Sequence, residues 1–219
     1  MPQPLFTEPE RDRIAAAVAA AEKQTAGEIV PFVTARSGRY EVAAWKAAAF
    51  GAMLAAALVL GVSYVYSGWG LGWLYTGWAV ALTMASGGAI GALATLADPV
   101  RRWVAGEARM ARRVHRRAAL AFLDEEVFDT RDRTGILIFV SLFEHRIEVL
   151  GDTGINAKVQ PEEWVEVVDL IREGILARDL AGGLVSGIER CGDLLNRRGV
   201  AVRPDDTDEL HDGVRVSDS

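Results

Sequence analysis

The chain has 219 residues, enough for one or two domains, and its net charge of −6 disfavours nucleic acid as a partner. The single cysteine, Cys191, excludes an intrachain disulfide framework. Half of the residues are hydrophobic, and the excess is concentrated: residues 47–97 carry no charged side chain at all.

In chain order, Thr7 and Glu10 form a capping box ahead of a helix that runs to about residue 25, with Ile14, Val18 and Ala21 on its apolar stripe. No secretory leader is expected, because MPQPLFTEPERDR lacks a basic start followed by an apolar stretch. Gly27 breaks the helix. Residues 28–35 (EIVPFVTA) read as a strand, in which Pro31 suggests an edge or a local irregularity.

The uncharged run of about 50 residues is too long for one membrane span, which needs about 20, and suits two. The expectation is therefore a transmembrane hairpin over residues 45–98. Ser67-Gly68-Trp69-Gly70 would make its turn. Tyr64, Tyr66, Trp69, Trp73 and Tyr75 would line one interface, and Trp45 and Trp103 the other. Asp98-Pro99 ends the second span. Lys46 precedes the hairpin, and Arg101, Arg102, Arg109, Arg112, Arg113, Arg116 and Arg117 follow it, whereas the turn has no charge. The positive-inside rule then predicts an integral protein of the bacterial cytoplasmic membrane with its water-facing domain on the cytoplasmic side.

Residues 107–127 read as a basic amphipathic helix. Residues 134–141 (TGILIFVS) are continuously apolar, as a central strand would be. Phe143-Glu144-His145 turns the chain into a second strand, RIEVL. Pro161 opens a helix with Trp164, Val168, Ile171 and Ile175 on one face. Leu180, Leu184, Ile188, Cys191 and Leu195 mark another, ended by Gly199. Cys191 fits this stripe as a core residue. From residue 203 the chain is polar and acidic and reads as a flexible tail. The expected boundaries are 1–44 and 99–202 for the two parts of one domain, 45–98 for the hairpin and 203–219 for the tail. A lone strand and a lone hairpin are each marginal, so the two parts should join in one helix-covered sheet.

This topology makes acids converge. A helical crossover favours parallel pairing of the first two strands, which puts Glu28 and Asp132 at the same sheet end. The third strand returns Asp152 there, and Asp129 is close by. Such carboxylates repel one another unless a positive charge intervenes. A hard cation with oxygen ligands is one solution; Arg131 and Arg133, forming a salt-bridged surface, are another. DTRDRTG is not an EF-hand loop, since the alternating acids and the distant Glu are missing.

The stretches Phe6-Thr7 with its helix, Thr25-Ala26-Gly27-Glu28-Ile29, Asp132-Arg133-Thr134-Gly135-Ile136-Leu137-Ile138 and Gly151-Asp152-Thr153-Gly154-Ile155 together resemble the TPM domain family. Pro204-Asp205-Asp206-Thr207-Asp208-Glu209-Leu210 is similar to an acidic tail of some bacterial members. The resemblance spans nearly all of the chain outside the uncharged run. It implies an α/β/α sandwich with a small mixed sheet, here interrupted by the hairpin. It also implies a divalent cation, Ca²⁺ or Mg²⁺, on Glu28, Asp132 and Asp152, with Asp129 a weaker carry-over. Thr134 stands where the family commonly has Asn.

Three functional classes follow. The favoured one is a membrane-anchored module that binds the cation, the bilayer and a membrane-protein partner in assembly or maintenance of membrane proteins. The alternative is a weak metal-dependent phosphatase of acid-phosphatase type, for which no nucleophile motif is present. A channel subunit is the third, disfavoured because neither span contains an ionisable residue. Gly87-Gly88-x-x-Gly91 could serve close helix contact in an oligomer, or only packing within the hairpin.

Overall fold

The computed structural model describes residues 5–38, 41–65, 77–96, 102, 106–202 and 209–217. The chain forms two compact units, one built from Met1–Ser37 and Arg112–Ser219, the other from Gly38–Ala111.

The first unit is an α/β structure around a mixed four-stranded sheet. Strands β1 (Glu28–Thr34), β2 (Gly135–Ser141), β3 (Arg146–Gly151) and β4 (Arg215–Ser217) lie in the order β3-β2-β1-β4. β1 pairs in parallel with both β2 and β4, and β3 returns antiparallel to β2. Every residue of β1 and β2 is buried. Alternate side chains explain this: Ile29, Val33, Ile136, Ile138 and Val140 enter one core, while Val30, Phe32, Leu137 and Phe139 enter the other. Pro31 sits opposite Ile138, and β4 pairs with β1 from Phe32 onward, so the proline, which has no N–H to give, lies just before the β1–β4 ladder.

Helices α1 (Glu8–Glu22), α6 (Val165–Leu176) and α7 (Leu180–Arg197) supply the first core. Helix α4 (Glu107–Asp124) supplies the second through Val114, Ala118 and Ala121. Phe32 and Phe139 stack there at 5.4 Å between ring centroids. The capping box of α1 is present: the Glu10 carboxylate accepts from the Thr7 backbone N–H and from Thr7 Oγ1, both at 2.7 Å. That backbone bond holds the Glu10 carboxyl below its ordinary range. Cys191 lies in the first core, fully buried, and burial pushes its thiol up to about 12, so it is a packing residue and not a nucleophile. In α6 the buried positions are Val167 and Ile171, with Trp164 just ahead of the helix; Val168, expected on that face, is only half-buried.

The C-terminal stretch departs from the expected flexible tail. Residues 203–208 lie outside the described residues, but 209–217 run back across the sheet unit and end in β4. Arg131 N donates to Glu209 Oε2 at 2.9 Å, Leu210 packs on the second core, and Arg215 Nε lies 3.2 Å from Glu125 Oε2.

The second unit contains α2 (Glu41–Val65) and α3 (Gly77–Leu96), packed on one another. A Cβ at Gly87 would fall 2.8 Å from Ala52 Cβ and one at Gly51 would fall 2.6 Å from Ile90 Cδ1, whereas Gly88 has open space around it. The small residues thus serve packing within the hairpin.

Among the described residues no helix is long and apolar enough to cross a membrane. This overturns the transmembrane hairpin expected over 45–98. With it go the interruption of the fold by membrane spans and the placement of the chain in the cytoplasmic membrane with its sheet on the cytoplasmic side. Tyr66, Trp69, Trp73, Tyr75 and Trp103, offered as interface anchors, lie outside the described residues, as do the turn at 67–70 and Asp98-Pro99.

Candidate functional site

The register of the sheet brings the expected acids to one end. Glu28 is opposite Gly135, and Gly151 is opposite Ile136, so Glu28, the 129–134 loop and Asp152 share the edge where β1 and β2 begin. The backbone there is packed too closely for side chains at two positions. A Cβ on Gly135 would lie 1.8 Å from the Val127 carbonyl oxygen, and one on Gly154 would lie 2.4 Å from that of Asp132. The Thr-Gly and Asp-Thr-Gly motifs therefore mark where the loop crosses β2 and where it meets α5 (Thr153–Asn156). Thr130 Oγ1 ties the loop by accepting from Thr134 N at 2.9 Å.

Asp152, 6% exposed, engages both carboxylate oxygens inside the protein. Oδ1 accepts from Thr153 N at 2.6 Å as the N-cap of α5. Oδ2 lies 2.9 Å from Arg133 Nε, a charge pair without an aligned hydrogen bond. Arg133 has a left-handed backbone (φ +58°), donates from Nη1 to Phe128 O at 3.2 Å and lies 5.7 Å from the centre of the Phe128 ring. Glu28 is buried beneath the returning C-terminal segment, its Oε2 accepting from Leu210 N at 3.4 Å. Asp129 and Asp132 are exposed.

These residues do not fit a cation. Among the described residues no group of three or more His, Cys, Asp or Glu side chains is placed to hold a metal ion. The expected divalent centre on Glu28, Asp132, Asp152 and Asp129, loaded with Ca²⁺ or Mg²⁺, is corrected accordingly. The physical reason is that Arg133 already supplies positive charge to Asp152, the helix cap takes its other oxygen, and the C-terminal segment covers Glu28. The phosphatase alternative, which drew its electrophile from that cation, gains nothing from this edge.

Removing Arg133 should expose the cost of the buried carboxylate. Breaking an ion pair by deleting one partner leaves a charge without compensation; because Arg133 is half-exposed, Arg133→Ala should cost about 1–2 kcal/mol, less than a fully buried pair would. Urea unfolding of Arg133→Ala, Asp152→Asn and the double variant checks it. Additive single-variant losses would show that the pair carries no coupling.

The opposite sheet end holds a cluster that sequence reasoning missed. Glu144, 4% exposed, accepts from Ser37 N at 3.0 and 3.2 Å and from the Ser141 hydroxyl. Ser37 Oγ lies 2.7 Å from Ser141 Oγ. A serine hydrogen-bonded to a carboxylate could suggest a nucleophile and its base. Ser141 is 1% exposed, however, and the carboxylate is already engaged by a backbone N–H, so no substrate reaches it. The cluster instead ties the turn after β2 to the segment leaving β1. The one sequence signal was a polar residue closing an apolar strand with Glu three positions on.

The arginine-rich α4 has structural duties in this unit. Arg117 lies 5.6 Å from the centre of the Phe32 ring and donates to Ser217 Oγ of β4 at 3.4 Å, and His115 Nδ1 lies 2.9 Å from Glu148 Oε2.

In the second unit the notable feature is apolar exposure. Trp45, Phe50, Met53, Leu54, Leu58 and Leu60 of α2, and Trp78, Leu82, Met84 and Leu93 of α3, are 58–77% exposed. Both helices turn apolar side chains outward as well as towards each other.

No protein-family model matches the chain, and no curated protein matches it. Among solved structures, it is similar to the NMR structure of BA42 protein from the psychrophilic bacterium Bizionia argentinensis sp. nov., with a TM-score of 0.60 and 19% identity over 99% of each chain. At that identity the likeness concerns the fold alone.

Proposed function

We propose that the chain is a non-enzymatic interaction module, a TPM-like sheet domain carrying an apolar helical hairpin. Through the hairpin it engages the apolar helical surface of a partner protein, in assembly or maintenance of membrane proteins. The observation that carries this reading is the outward row of Phe50, Leu54 and Leu58 on α2, with Trp78 and Leu82 on α3. Large apolar side chains left this exposed, three of them at four-residue spacing along one helix, are what an interaction site presents. The TPM-like assignment is supported by the close backbone approaches at Gly135 and Gly154, the glycines of two motifs that carry the resemblance.

The test replaces Phe50, Leu54 and Leu58 together by Gln in the full chain. Each buried apolar side chain is worth roughly 1.5–3 kcal/mol, so their joint loss should reduce recovery of co-purified membrane proteins by at least about tenfold. The unfolding midpoint of the sheet unit should stay unchanged. Recovery of the same proteins by the triple variant would refute the reading. Loss of self-association alone would assign the face to copies of this chain instead.

A further inference from the structure

Beside β4 lies a pocket of about 470 Å³ lined by Arg11, Glu125, His211, Gly213, Val214 and Arg215. Its size is within the roughly 300–1,000 Å³ of small-molecule sites. We propose that this pocket binds a small, soluble phosphorylated molecule, with Arg11 and His211 donating to the phosphate.

Arg215 builds the pocket. Its Nη1 donates to Gly213 O at 2.8 Å and to His211 O, and its Nε faces Glu125 Oε2 at 3.2 Å. These bonds fix the 211–213 turn and balance one of the two guanidinium charges with the one carboxylate in the lining. Arg11, arriving from α1, brings the second guanidinium. Its Nε is buried and, among the described residues, has no hydrogen-bond partner. Nε is sealed from solvent, so what Arg11 presents at the pocket wall is the two amino groups of its guanidinium.

His211 supplies a second donor. Gly213 N donates to His211 Nδ1 at 3.0 Å. A backbone N–H can only donate, so Nδ1 accepts, and the neutral ring carries its proton on Nε2. With the ring neutral, two arginines against one glutamate leave the lining with a surplus positive charge. That surplus, an arginine donor and an imidazole N–H suit an oxyanion, and two donors arriving from separate segments can meet different oxygens of a tetrahedral phosphate. The pocket exceeds a bare phosphate in volume, and Val214 offers an apolar patch for the remainder of the molecule.

The experiment titrates inorganic phosphate and ribose 5-phosphate into the full chain at constant ionic strength. It follows the His211 ring and Gly213 amide signals by NMR, with acetate and chloride as reference anions. Saturable shifts with both phosphates are expected, ribose 5-phosphate binding the more tightly. Arg11→Gln should raise Kd at least tenfold, and Arg11→Lys, which keeps the charge but loses the planar donors, at least threefold. Arg190→Gln, remote on α7, should leave Kd unchanged. If Arg11→Gln fails to give a folded amide spectrum, Arg11→Lys carries the comparison. The proposal is overturned by shifts that fail to saturate and match chloride, by acetate binding as tightly as phosphate, by an unaltered Kd in the Arg11 variants, or by phosphatidic acid vesicles outcompeting ribose 5-phosphate.

Discussion

Gly135→Ala should destabilise the sheet unit by at least about 3 kcal/mol, a large part of the 5–15 kcal/mol that holds a typical domain together. The added methyl would sit 1.8 Å from the Val127 carbonyl oxygen and 2.9 Å from its carbonyl carbon. Those are backbone atoms, so no side-chain rotation relieves the contact. Val127 is fully buried in the second core, and Gly135 is the first residue of β2, opposite Glu28. Relief requires either the loop to lift off the sheet or β2 to shift against β1. The first uncovers Val127 and the second disturbs seven registered pairs. Urea unfolding of Gly135→Ala against Gly88→Ala provides the measurement. Gly88 lies within α3, and a methyl added there would meet nothing within 4 Å, so alanine should be neutral or gain up to about 1 kcal/mol from helix propensity. Equal losses at the two glycines would show that the close approach at Gly135 is not what constrains it.

Glu144→Ala should cost about 2–4 kcal/mol, because it strands donors and removes a negative charge they were arranged to meet. Ser37 N, which donates to both carboxylate oxygens, loses its acceptor, and the Ser141 hydroxyl loses the carboxylate and is left, among the described residues, with Ser37 Oγ. Glu144→Gln retains shape and one oxygen and should cost less. Amide exchange separates this tether from a general loss of packing: Ser37 N–H should lose its protection in Glu144→Ala while the β1–β2 amides keep most of theirs. A variant within about 0.5 kcal/mol of the wild type, with Ser37 still protected, would contradict the tether.

Several elements were legible because their determinants are local. Thr7 and Glu10 sit three apart and make the α1 cap in the structure. The unbroken run GILIFVS predicted a strand covered on both faces, and β2 has helices over each and a strand on either side. The crossover between β1 and β2 implied parallel pairing, and with it the shared end of Glu28 and Asp152. Leu184, Ile188, Cys191 and Leu195 follow helical spacing and are all fully buried.

Other features depend on partners distant in sequence. β4 is three residues long and exists through its pairing with Phe32, Val33 and Thr34. Nothing in Arg-Val-Ser distinguishes it from the acidic stretch before it. Convergence of acids could be read from topology, but whether a cation or an arginine would meet them could not. Arg133, turned by its left-handed backbone beneath Asp152, decided that at the level of single atoms.

The amino-acid order by itself determined where helices and strands start, which faces are apolar and which strands run parallel, since caps, periodicity and crossover length act within a few residues. Only the tertiary structure decided what covers each face and which charge answers each buried carboxylate. Hydropathy reports the character of a segment's surface, whereas burial and pairing are properties of its neighbours, and those are assembled from the whole chain.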